Sequence, residues 1–324
     1  MPIDPNHREK IEIAYAEPQR HLRRQLRTAF QREGFTGMED FEHLIDLREY
    51  VSRRCPDLII VDVGFEKGDA CKLVHDIRYH RVGENPFTPV IMTAWEPKRD
   101  LVRRIVDRGT DDLLLKPLSP GALFERMNIL VSRRKPFVVT SNYIGPDRRK
   151  ADRDGNSAPS LLVPNTLRCK ALGEPYSEVE LSSLIAHAQR EINDQRLKRN
   201  AYQISFLVGL VLPELESGNI SDMTAVRMGD LSMVIEDVSE RMVDTPYEHV
   251  SELCQSMLQV VNTIRDSIER PDDKDVELLR PLSHAILVGF NPDQDAANIS
   301  TEITSAIERY QGKLEAVPTK RTGT

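Results

Sequence analysis

The sequence predicts two domains of different class: a doubly wound parallel α/β sheet domain, then an all-α helical bundle. Three observations carry this reading. Over the first 135 residues, short apolar runs alternate with stretches of helical period. From about residue 176 the short runs stop and apolar residues recur at spacings of three and four. The charge also changes sign between the halves. Residues 1–163 carry 28 Lys+Arg against 25 Asp+Glu, or +3, and residues 164–324 carry 16 against 26, or −10. Short buried strands alternating with helices imply a parallel sheet covered on both faces.

The elements follow in order. Ile11 to Ala16 (IEIAYA) opens with an apolar-rich segment, and Leu22, Leu26, Ala29 and Phe30 then keep helical spacing. Leu44, Ile45, Leu47 and Val51 fit a second helix. Leu58 to Val61 (LIIV) predicts a strand, and Leu73, Val74 and Ile77 mark the helix after it. Val90 to Met92 predicts the next strand, and Leu101, Val102, Ile105 and Val106 a helix ending at Gly109. Leu113 to Leu115 reads as a strand running into Lys116-Pro117, and Leu123 to Val131 as the last helix of a domain spanning residues 1–135.

Residues 136–175 break the rhythm. They read as a linker with an extra strand candidate at Phe137 to Thr140 and a basic, Gly/Pro/Ser-rich segment. Residues 176–315 read as the helical domain and 316–324 as a disordered tail. Ser177-Glu178-Val179-Glu180 and Thr245-Pro246-Tyr247-Glu248 predict capping boxes, the second with proline at the first helical position. Apolar stripes follow at 181–192, 231–242, 250–268, 276–287 and 299–314.

Composition excludes several classes. The four cysteines, Cys55, Cys71, Cys169 and Cys254, are far apart and form no C-x-x-C, which argues against a disulfide framework or zinc site and for a reducing, cytoplasmic setting. The amino terminus lacks the apolar core of a signal peptide, and the longest apolar run, Ile204 to Leu212, is too short to span a bilayer. An acidic second half is a poor DNA-binding module, because phosphate contacts dominate that affinity.

Chemistry gathers at the carboxyl ends of strands in such a sheet. The strand-end residues here are Glu17, Asp62, Thr93 or Ala94, and Lys116. Asp62 follows four apolar residues, and a carboxylate there is costly unless it has a partner or a task. A carboxylate, a hydroxyl and a lysine converging from different strands make a site for a phosphoryl group. The carboxylate serves as nucleophile, the lysine pairs with phosphate charge and the hydroxyl hydrogen-bonds it.

At LIIVD with Asp62, PVIMTA with Thr93, and DDLLLKP with Lys116, the chain resembles the receiver domain of two-component response regulators over roughly residues 9–134. The resemblance implies a flavodoxin-like fold and a histidine kinase as partner. It makes Asp62 the phosphoacceptor and Lys116 a contact to the acyl phosphate, with Thr93 or Ala94 at the switch position. It also implies Mg²⁺ held by Asp62 and an acidic pair after the first strand. The pair is missing: Tyr15 and Ala16 stand there, and Glu17 comes one position late. The switch aromatic expected three residues before the lysine is Leu113, and Glu66 replaces the proline expected four residues after the phosphoacceptor. Without the pair Mg²⁺ lacks its usual oxygens, so no cofactor is assigned, and Lys116 is expected to fill the metal's space beside Asp62.

The expectation is an atypical response regulator with a degenerate phosphorylation site. A helical domain would bind protein partners or form a homodimer. A phospho-switch with Mg²⁺ between Asp62 and Glu17 is one alternative. A helical phosphatase or phosphotransfer module is another, resting on Glu191, Asn193, Asp194 and Gln195 (EINDQ) or on His187 and His284. These two histidines lack the motifs of a phosphotransfer site and read as ordinary side chains. The cluster Arg148, Arg149, Lys150 and Arg153 reads as a solvated linker or a contact to the acidic half, and its R-x-x-x-R spacing as chance.

Overall fold

The computed structural model describes residues 3–140, 142–148, 160–175, 177–242, 245–292, 301 and 303–310. The chain divides into two compact units, residues 1–191 and 192–324.

In the first unit, β1 (Ile13–Ala16), β2 (Met38–Phe41), β3 (Leu58–Asp62), β4 (Val90–Ala94) and β5 (Asp112–Leu115) form one parallel sheet in the order β2-β1-β3-β4-β5. The intervening helices are α1 (Arg20–Arg32), α2 (Leu44–Arg53), α3 (Ala70–Arg78), α4 (Arg99–Asp107) and α5 (Pro120–Arg133). Strand alternation sorts them into layers. Ile13, Tyr15, Leu58, Ile60 and Ile91 pack with Leu26 and Phe30 of α1 and Leu123 and Met127 of α5. Ala14, Ala16, Ile59, Val61 and Met92 face α2, α3 and Ile105 of α4. The sheet is doubly wound, as the sequence predicts. The strand the sequence reading misses is β2, MEDF, an edge strand with exposed Glu39; charged residues commonly blunt such edges and erase the apolar signal.

Residues 136–175 differ from the linker expectation. Besides the anticipated strand, β6 (Phe137–Thr140), they carry β7 (Tyr143–Pro146), β8 (Ser160–Leu161) and α6 (Thr166–Leu172). The strands form an antiparallel sheet in the order β7-β6-β8. Leu167 and Ala171 of α6 join the core under α1 and α5, so the segment belongs to the first unit. Gly109, at φ +81°, shows how closely β7 approaches: a Cβ there would lie 2.3 Å from the Ile144 carbonyl oxygen. Arg148 donates to the Thr110 and Asp111 carbonyls, so it is a docked residue rather than a solvated linker cation. Arg149, Lys150 and Arg153 lie outside the described residues, as does the predicted tail.

From residue 178 the described chain is helical: α7 (Glu178–Glu216), which runs from the first unit into the second, α8 (Asp222–Arg241), α9 (Ser251–Asp266), α10 (Asp273–Phe290) and a helical segment at 303–310. The Ser177–Glu180 box forms, each residue's side chain accepting from the other's backbone N–H. The second box does not. Thr245 Oγ1 accepts from Tyr247 N–H, the chain enters a 3₁₀ turn at Glu248–Val250, and α9 starts only at Ser251. The apolar run from Ile204 to Leu212 becomes the second half of α7. Its Ile204, Val208 and Val211 pack with Leu231 and Ile235 of α8, Met257 and Val261 of α9, and Leu279 and Ile286 of α10 in the second unit's core. No described helix is long and apolar enough to cross a membrane.

Candidate functional site

Strand order puts the predicted residues together. β3 lies between β1 and β4, and Asp62 is in register with Thr93. That register selects Thr93 over Ala94: Thr93 Oγ1 donates to Asp62 Oδ2 at 2.9 Å. Gly64 N–H donates to Asp62 Oδ1 at 2.7 Å. β5 then delivers Lys116, whose backbone N–H donates to the Ala94 carbonyl at 2.8 Å.

The ammonium of Lys116 sits between two carboxylates. Its Nζ is 2.5 Å from Asp62 Oδ2 and 2.5 Å from Glu17 Oε2. All three side chains are 2 % exposed or less. The contacts are ionic, and Nζ makes no aligned hydrogen bond. Glu17 is held in place as well: its Oε1 accepts from Gln19 N–H at 3.1 Å, and Arg23 donates to its carbonyl at 2.6 Å. One cation against two carboxylates leaves a buried site with a formal charge of −1, a costly arrangement by desolvation.

Tyr15 turns its ring into the core, with its hydroxyl 3.5 Å from Glu17 Oε2. Burial first, then the charges of Glu17 and Asp62, push its phenol well above the ordinary tyrosine range. Ala16 is buried on the opposite face of the sheet. Leu113 is partly buried against the α2–α4 layer, and Glu66 is exposed. Trp95 is a participant that sequence reasoning missed: Lys116 Nζ lies 5.4 Å from its ring centroid, and the ring is half exposed. Its signal was available, since it is the single tryptophan and directly follows β4. A shallow depression lined by Leu22, Leu26, Trp95, Pro117 and Leu118 opens beside Lys116.

The Lys116 ammonium lies between Asp62 and Glu17, the two carboxylates that would hold Mg²⁺. Mg²⁺ needs near-octahedral oxygen. Both Asp62 oxygens are already engaged, and the neighbours of Glu17, Ala16 and Pro18, bring no side-chain oxygen. Among the described residues no group of three His, Cys, Asp or Glu could hold a metal ion.

Two of the EINDQ residues, Asn193 and Asp194, are engaged within the helical unit, whereas Gln195 Oε1 is buried without a hydrogen-bond partner among the described residues. Asn193 donates to the Arg241 carbonyl at 3.1 Å. Asp194 accepts from the Tyr247 hydroxyl and pairs with Lys198. Next to them, Arg196 forms a bidentate pair with Asp237 at 3.0 and 3.1 Å.

Comparison with known proteins agrees with the geometry. Residues 13–128 match the family model of the response regulator receiver domain. The KDP operon transcriptional regulatory protein KdpE of Escherichia coli is 31% identical over 121 residues, 37% of this chain and 51% of that protein. The transcriptional regulatory protein PdtaR of Mycobacterium tuberculosis is 26% identical over 37% of this chain and 57% of its own length. The chain thus spans about half the length of these curated relatives. Among solved structures, a response regulator receiver domain from Bermanella marisrubri aligns with a TM-score of 0.34 and 19% identity, covering 37% of this chain and 98% of that one. No family model matches the helical half.

Proposed function

Residues 13–128 being a response regulator receiver domain, we propose that the chain is an atypical response regulator of two-component signalling. Its receiver works without phosphorylation or is phosphorylated only weakly. The observation that carries this is the buried bridge Glu17–Lys116–Asp62, in which the ammonium holds the position between the carboxylates where a cation must sit. Phosphoryl transfer depends on metal ions to neutralise developing charge. Here a covalently tethered cation does part of that neutralising permanently, and it occupies an Asp62 oxygen that would attack phosphorus.

In this reading the receiver presents one conformation to a histidine kinase or another signalling protein in the cytoplasm. The helical unit acts as a protein-interaction or homodimerisation domain. Its acidic charge speaks against DNA as the target, although the relatives named as transcriptional regulators make a gel shift at physiological salt a necessary control. The engagement of Asn193 and Asp194 inside the helical unit supports a scaffold over a phosphatase.

The test is intact-mass spectrometry of the protein incubated with acetyl phosphate, with and without Mg²⁺, beside Asp62→Asn. No phosphoryl gain in either condition is expected. A Mg²⁺-dependent gain of one phosphoryl group, lost in Asp62→Asn, would establish the phospho-switched alternative.

A further inference from the structure

One face of α8 is out of keeping with a solvent-exposed helix. Thr224, Met228, Leu231, Ile235 and Val238 turn inward, as the core of the helical unit requires. On the outward side, Met223, Val226 and Met233 are 52, 56 and 60 % exposed. Their spacing, completed by Asp230, is three-four-three, the a/d repeat of a helix seam. Gly229 borders this face, one turn from Val226 and from Met233, and a Cβ there would meet nothing within 4 Å. A glycine inside a helix is less favourable than alanine. Nothing in the fold of α8 itself calls for it, whereas a close helix crossing would.

The charges decide what fits. α8 carries two cations, Arg227 and Arg241, and both are already paired, to Glu214 at 2.8 Å and Asp237 at 2.9 Å. Its remaining acids, Asp222, Asp230, Glu236 and Glu240, make no ion pair among the described residues. A second copy of α8 laid on this stripe would bring acid to acid, which like-charge repulsion disfavours. Asp230 at an a-type position selects a partner with a cation facing it, as a single polar seam residue fixes pairing in coiled coils.

We propose that the outward face of α8 docks a basic amphipathic helix of a partner protein, with Val226 and Met233 as apolar anchors, Gly229 as the crossing point and Asp230 as the selector. This rests on the helical unit being an interaction domain and names the chemistry of what it binds.

The experiment uses the full chain and a fluorescent synthetic probe. The probe is a three-heptad helical peptide with leucine at a and d and lysine at e and g. Anisotropy titration is expected to show binding that Met233→Glu and Asp230→Lys each weaken by about tenfold. Met233→Leu should retain it, as should Glu269→Lys, a charge reversal elsewhere on the exposed surface of the unit. Far-UV circular dichroism confirms that these surface variants stay folded. Equal loss in Glu269→Lys, equal binding of a glutamate-for-lysine peptide, or no effect of Met233→Glu would overturn the proposal while leaving an interaction domain standing. Self-association of the chain that Met233→Glu abolishes would make a second copy the occupant and also overturn it. A DNA duplex replacing the peptide tests the underlying reading separately.

Discussion

Two buried charge clusters lie at opposite ends of the receiver sheet, and their stoichiometry is inverted. At the carboxyl ends of the strands, Lys116 is shared by Glu17 and Asp62. At the amino ends, Asp111 is shared by Arg78 and Arg134, at 2.8 Å each. The Asp111 cluster is saturated. Its Oδ2 also accepts from Val90 N–H at 2.8 Å, and Arg78 spends its other N–H groups on the carbonyls of Pro86, Thr88 and Gly109. Burial pulls Arg78 down to about 10, against the counteracting charge of Asp111. Phe137 of β6 lies 5.3 Å from the Arg78 guanidinium and 5.1 Å from that of Arg134. The lesson is one of type. Planar guanidiniums with every donor placed build a fixed joint, whereas a lysine ammonium between two carboxylates is a point charge that can change partners. The Asp111 cluster fastens the β6–β7 hairpin to the receiver, and the Lys116 cluster is held by ionic contacts without aligned hydrogen bonds at the ammonium.

The largest way to break this comparison is at the joint. Asp111→Ala leaves two buried arginines without their counter-ion. The expected loss is about 3–5 kcal/mol of unfolding free energy, read from the urea midpoint. The hairpin should become accessible to protease in the same variant. A loss under about 1 kcal/mol would mean the cluster behaves like a surface pair.

Lys116→Met comes next. It strands two carboxylates, and about 3 kcal/mol is expected to go. The triple variant Glu17→Gln, Asp62→Asn, Lys116→Met should recover most of it, because neutral groups of similar shape replace a buried ion network. Failure of the rescue would show that Lys116 holds more than these two partners.

Gly109→Ala follows, at about 2 kcal/mol, from an alanine forced to positive φ and pressed against the Ile144 carbonyl. Thermal unfolding measures it, and an unchanged midpoint would mean that β7 yields easily.

How much of this was legible follows from where the stabilising partners sit in the chain. LIIVD and the Lys116-Pro117 strand end were readable because continuous apolar runs bounded by one functional residue need no distant context. The choice between Thr93 and Ala94 was not, since it depends on the Asp62–Thr93 register, a pairing across 31 residues. Glu17 looked displaced by one position, yet it folds back onto Lys116 once its backbone N–H is anchored to the Phe41 carbonyl. Residues 136–175 read as a linker around the strand at Phe137 to Thr140, because the stretch after that strand is polar, basic and rich in Gly, Pro and Ser. Their anchors, Phe87, Thr110 and Asp111, lie far away in sequence, and composition cannot report them. Asp111 and Asp112 stand side by side in DDLLLKP, and nothing local distinguishes Asp111 as the half that turns inward.

A third buried acid sharpens the contrast, because its count of cations changes with pH. Asp76 of α3 is met by Arg48 of α2 at 2.9 Å and Lys72 at 3.3 Å, and His75 Nδ1 lies 3.8 Å from its other oxygen. Burial, then the charges of Arg108 and Arg81, hold His75 below the ordinary histidine value. A base with a depressed folded-state pKa binds its proton more readily when unfolded. Stability therefore falls as pH drops through about 6.5 toward the folded value, and levels off below it. Replacing His75 by Gln removes that slope. The expected difference between the two proteins is small, below about 1 kcal/mol between pH 7.5 and pH 5, and it is read as the pH dependence of urea midpoints for each. Identical slopes would mean that His75 takes up its proton as readily in the folded protein as in the unfolded one, with Asp76 offsetting burial and the charges of Arg108 and Arg81.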